Sequence, residues 1–163
     1  MSRDNVWVNS DGLPVGFGTR TETSTGSNRV RENGATEKAY LVFKGVDLAD
    51  AVARTEDQVI HGVSIPNGAT ILSATLKVSE AFTSGGSATL DLGVYDADGT
   101  AVDDDGIDSA IAVAALTLGA EIACDGADVN TVVATSGGVK VCASYDTAAF
   151  TAGKAVLEVE YAV

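Results

Sequence analysis

The densest group of chemistry-bearing side chains in this chain is DADGTAVDDDGID, from Asp96 to Asp108. Calcium takes several oxygen ligands from carboxylates, carbonyls and water, and a loop of this composition can supply them. The helix–loop–helix calcium pattern does not fit the spacing. With Gly106 as its central glycine the first ligand position falls on Ala101, and with Gly99 it falls on Val94. The competing reading is a solvated loop whose aspartates close local turns and cap a following helix. No metal ligand set is assigned on this pattern.

The remaining candidates are sparser. His61 is the sole histidine and lies in phase with Val59, Val63 and Ile65. A triad needs an activated Ser or Cys beside the imidazole, and no G-x-S-x-G element is present, so His61 reads as a structural or interface residue. Cys124 and Cys142 lack CxxC spacing and zinc-ligand partners, and read as reduced, buried thiols of a chain made in a reducing cytoplasm. GLPVGFG lacks the Lys-Ser/Thr ending of a phosphate loop. With no coherent acid, base or nucleophile, the expectation is a protein that is not an enzyme, with no catalytic residue and no cofactor.

Charge divides the chain in two. Residues 1–44 carry six basic and five acidic side chains, net +1, whereas the remainder carries four basic and eighteen acidic, net −14, which together give −13. Such a body repels phosphate backbones and anionic membranes, so neither nucleic acid nor membrane is an expected partner. MSRDNVWVNSDG is polar where a secretory signal would be apolar. The most apolar stretch, between Asp108 and Glu121, is shorter than the roughly 20 residues a spanning helix needs.

These residues must be positioned by the elements around them. The leader passes through Asp11-Gly12, Pro14, Gly16 and Gly18 into TETSTGSNRVRENGATE, which has too little apolar content to fold alone. Residues 1–36 therefore read as an extended N-terminal arm. The arm holds Trp7 and Phe17 beside Arg3 and Arg20, an anchor composition. Two outcomes are open: docking on a partner, or folding back on the chain's own domain.

From Ala39 onward β signals dominate. AYLVFKGV is a nearly continuous apolar run, and QVIHGVSIP alternates until Pro66. After Asn67-Gly68, Leu72, Ala74, Leu76 and Val78 mark one face of a strand. Its neighbour, ATLDLGVYD, follows a Gly-rich turn, which predicts an antiparallel pair. Asp108 is placed to cap a short helix through the Ala-rich run carrying Ile111 and Leu118. DVNTVVAT, GVKVCASY and KAVLEVEYAV close the series as strands. The fold class expected is all-β: an antiparallel β-sandwich, jelly-roll-like, over residues 37–163, with one short helix and the extended arm.

Four stretches, WVNSDGLPVGFGTR, SIPNGATILSATLKV, YDADGTAVDDDGIDSAIAV and TAAFTAGKAVLEVEYAV, resemble in their order the capsid decoration (cement) proteins of tailed bacteriophages. The resemblance spans nearly the whole chain and rests on order and layout rather than on any one motif. It implies a non-enzymatic virion protein on the outer surface of the capsid. Such a protein is a homotrimer that binds and stabilises major capsid protein subunits. Carried onto this sequence, the capsid contacts would be Val6, Trp7, Phe17, Arg20, Val30 and Arg31. The alternative is a carbohydrate-binding head fibre or lectin-like module, suggested by a sandwich bearing an acidic loop.

Overall fold

The structure is a computed structural model that describes residues 36–48, 62–135 and 138–163, with the backbone of Val6–Val8 and Pro14–Gly16. The chain divides into two compact units, Met1–Gly34 and Ala35–Val163. In the first, β1 (Val6–Val8) and β2 (Pro14–Gly16) pair antiparallel, with Trp7 opposite Val15. The sequence had suggested extended chain there, without a hairpin.

The second unit is a sandwich. β3 (Glu37–Lys44), β11 (Phe150–Ala162), β5 (Ala69–Ser84) and β8 (Glu121–Ala123) form one sheet in that order, and β9 (Val132–Val133) also pairs with β5. β4 (Val63–Ile65), β10 (Val139–Asp146), β6 (Thr89–Asp96) and β7 (Ala101–Ala112) form the other. Every pairing is antiparallel. Successive strands switch sheets except at the β6–β7 hairpin and between β8 and β9. This is the double Greek-key winding of a jelly roll.

Alternation explains the core. Ala39, Leu41 and Phe43 of β3 point inward, as do Ala155, Leu157, Val159 and Tyr161 of β11. They meet Leu90, Leu92 and Val94 of β6 and Val139, Val141 and Ala143 of β10 in one buried cluster. At one end, Phe82 packs edge-on against Phe150 at 5.1 Å and tilted against Phe43 at 6.1 Å between ring centroids.

Four expectations are corrected. β5 and β6 do not pair: the Gly-rich turn between them carries the chain from one sheet to the other. Leu72 yields its core position to Ile71, because a register shift where Glu160 faces Ser73 and Tyr161 faces Ile71 resets the alternation. DVNTVVAT is mostly turn, with only Val132–Val133 in strand. The helix expected from Asp108 is a strand as far as Ala112, followed by a single 3₁₀ turn, Val113–Ala115. Pairing of this segment with β6 and burial of Ile107 and Ile111 outweigh the high intrinsic helix propensity of its alanines, a local bias that tertiary contacts override. Leu118, assigned to that helix face, is exposed.

Candidate functional site

The acidic run lies where β7 departs from regular pairing. Val94 faces Asp103 and Leu92 faces Asp108, so the single residue Gly93 of β6 opposes four of β7, and Asp104–Ile107 form a bulge. The bulge needs a bare partner. A Cβ on Gly93 would stand 2.2 Å from the carbonyl carbon and oxygen of Asp104 and 2.4 Å from the Asp103 oxygen. A second irregularity follows at Ala110, whose φ of 52° is held by its N–H donating to Asp91 Oδ1 at 2.7 Å.

This geometry gathers Asp103, Asp104 and Asp105, with carboxylate oxygens within 4.8 Å of one another. Asp128, distant in sequence, joins them. Its N–H donates to the Gly106 carbonyl at 2.7 Å, and Gly126 N–H donates to the Ile107 carbonyl at 2.9 Å. A Cβ on Gly106 would lie 2.4 Å from Asp128 Oδ2 and 2.9 Å from the Asp103 Cγ, so these two carboxyls flank the glycine. Asp128 Oδ2 is buried with no hydrogen-bond partner among the described residues. Burial and then the Asp105 and Asp128 carboxyls push Asp103 above the usual carboxylate range, and burial alone raises Asp128. Asp91 and Asp108 are raised chiefly by burial as well. Asp103 and Asp128 therefore hold a proton more tightly than free aspartate.

Other aspartates in the run serve the backbone. Asp96 Oδ1 accepts from the N–H groups of Asp98 at 3.0 Å and Thr100 at 2.9 Å, closing the β6–β7 turn at Gly99. That half of the run follows the turn-closing alternative. Asp108 caps no helix. It sits beside Cys124, whose thiol burial and the Asp108 carboxylate push up to about 12. Such a thiol is inert as a nucleophile. Both cysteines are buried, and neither forms a disulfide among the described residues.

The outer face of the β3–β11–β5 sheet is a different surface. Glu158 accepts from Lys38 and from Lys77, the latter at 2.9 Å, and these hydrogen bonds lower its carboxyl to about 2. Thr36 donates to Glu160 on the same face. Lys44 lies directly opposite Lys154, and Tyr40 and Val42 stand exposed between the lysines of β3.

Of the residues singled out from sequence, Val6 and Trp7 lie in β1, opposite Gly16 and Val15. Phe17, Arg20, Val30, Arg31 and His61 fall outside the described residues. Asp128 and the Lys38–Glu158–Lys77 arrangement were missed. The one signal that could have found Asp128 is the paired Asp-Gly steps, Asp105-Gly106 and Asp125-Gly126, which the fold sets side by side.

No known protein family matches the sequence, and no curated protein does. Solved structures do. A chain of the cyanophage Pam1 capsid asymmetric unit shares the fold with a TM-score of 0.52 at 18% identity, covering 94% of this chain and 95% of that one. A chain of the capsid of Ralstonia phage GP4 matches with a TM-score of 0.45 at 16% identity, covering 78% of this chain and 84% of that one.

Proposed function

We propose that this protein is a structural component of a tailed-phage virion that decorates and stabilises the capsid, without catalytic activity. The observation that carries this reading is the end-to-end likeness of fold to a chain of the Pam1 capsid, which takes in nearly the whole of both chains. The separation into a leading unit, Met1–Gly34, and a β-sandwich supports it further. In this reading residues 1–36 bind major capsid protein subunits through Val6, Trp7, Phe17, Arg20, Val30 and Arg31. A large aromatic transferred from water into such a contact contributes about 1.5–3 kcal/mol, enough to offset part of the ordering cost of the segment. The sandwich, with its excess of carboxylates, faces outward on the virion as one member of a homotrimer, away from the phosphates of the genome.

The test is a capsid-binding assay on heads lacking the protein, comparing the full chain, a chain beginning at Ala35, and Trp7→Ala. The truncated chain is expected to keep the circular dichroism of the sandwich and lose binding, and Trp7→Ala to weaken it at least tenfold. Undiminished decoration by the truncated chain refutes the arm's role.

A further inference from the structure

The charges of the sandwich are unevenly placed. Among the described residues, Lys38, Lys44, Lys77 and Lys154 all lie on the outer face of the β3–β11–β5 sheet, leaving Lys140 on the other sheet. Lys38 and Lys77 are satisfied by Glu158. Lys44 and Lys154 stand directly opposite each other across β3 and β11, and Lys154 has Glu80 of β5 opposite it on its other side, so Lys44, at the edge, is the lysine left facing only another lysine across the sheet. Like charges directly opposed on adjacent strands oppose sheet pairing. Next to them Tyr40 and Val42 are 54% and 58% exposed, with Val156 opposite Val42.

The other sheet ends in the complementary surface. β7 is its edge strand, and there Val102 is 54% exposed immediately before the mutually crowded Asp103, Asp104 and Asp105. The β3 edge therefore presents apolar side chains beside the lysine pair Lys44–Lys154, and the β7 edge an apolar side chain beside excess negative charge. A single molecule does not bring them together. β3 packs beside β4, and β4 and β7 are the two opposite edges of their sheet.

We propose that a second copy of this chain covers the Tyr40–Val42–Lys44–Lys154 surface, presenting its β7 edge from Val102 to Asp105. Each contact sets Lys44 and Lys154 against the crowded carboxylates of β7 and buries apolar side chains from both partners. It is also a route by which copies of net charge −13 approach without adding to their repulsion. The contact is head to tail, so it propagates into a closed ring or an open filament according to the rotation between copies. Lysines on the β3 edge disfavour the competing arrangement, in which two β3 strands pair edge to edge. The proposal depends on the fold and its charges and not on the capsid reading, and its test uses the isolated full chain.

Sedimentation velocity over a concentration series, at roughly 50 and 500 mM salt, reads the association constant. Association is expected at low salt and should weaken about tenfold or more at high salt. Lys44→Glu with Lys154→Glu, or Asp104→Lys with Asp105→Lys, should each weaken it on the order of 100-fold. The chain carrying all four changes should recover to within about tenfold of the original, because the charges are exchanged rather than lost. If Asp104→Lys unfolds the bulge, Asp105→Lys alone, on an exposed side chain, replaces that pair. A wild-type chain that stays monomeric throughout overturns the proposal. So does an association constant indifferent to either charge reversal, or a four-change chain that remains apart.

Discussion

Replacing Gly93 with alanine is the sharpest probe of the acidic bulge. The added Cβ would sit 2.2 Å from two backbone atoms of Asp104 and 2.4 Å from the Asp103 carbonyl oxygen. Ordinary carbon contacts lie near 3.5–4.0 Å, so the β7 backbone would have to retreat by about 1–2 Å. Nothing flexible stands in the way, because the obstacle is main chain. Retreat would also strain the 2.7 Å bond from Asp128 N–H to the Gly106 carbonyl. Overpacking costs about 1–3 kcal/mol, and a backbone obstacle places this case near 3. For a domain of this size about 3 kcal/mol corresponds to a fall in Tm of roughly 6–12 °C. Gly85→Ala is the control, since its Cβ would meet nothing within 4 Å, and it should change stability by less than about 0.5 kcal/mol. Calorimetric melting of the two variants decides the matter. If Gly93→Ala melts within a degree or so of Gly85→Ala, the close approach of β7 to β6 is not as described.

Asp103 has its folded pKa raised above 3.8, so its proton is held more tightly in the folded state. The resulting stability is complete below 3.8 and is lost as pH rises through the raised value. Asp103→Asn should therefore raise Tm at pH 7 by about 1–2 °C, a small effect because a partly exposed charge is screened; the gain should fade near pH 4, and a lower Tm at pH 7 would contradict the crowding. Glu158 has the opposite sign: its carboxyl falls from 4.5 to about 2, so its contribution is present above 4.5 and disappears as pH drops toward 2. Glu158→Gln should accordingly narrow the stability gap between pH 5 and pH 2, measured by thermal melting, and an unchanged acid limb would rule out the Lys38–Glu158–Lys77 contacts. Both thiols should resist a thiol reagent at pH 8 until the protein unfolds, given their burial and a Cys124 pKa of about 12; rapid labelling of the native chain would place at least one of them at the surface.

Much of the strand content was legible because alternation is a local property. Leu90, Leu92 and Val94, or Leu157, Val159 and Tyr161, are apolar at every second residue, and all are buried on one face. What failed depended on partners far away. The turn between β5 and β6 has hairpin composition, yet β6 pairs with β7 and β10 instead. The Asp108–Ala115 segment offered a helix cap and alanines, but its pairing with β6 decided the outcome. In the acidic run, Asp96 could be read as a turn former from its own neighbours. The crowding of Asp103 by Asp128 could not, because it arises only when the Gly126 segment is laid against Gly106.

Residue order alone determined that this protein is built of strands, that its charge is concentrated in the body, and that its first residues differ in kind from the rest. Those features follow from side-chain type and near-neighbour periodicity, which no partner segment can change. Which strands share a sheet, where β7 bulges, and how lysines come to one face while aspartates crowd the opposite edge were decided by tertiary structure. Pairing across long sequence separations is chosen by burial of the whole core at once, and a local reading does not contain that sum.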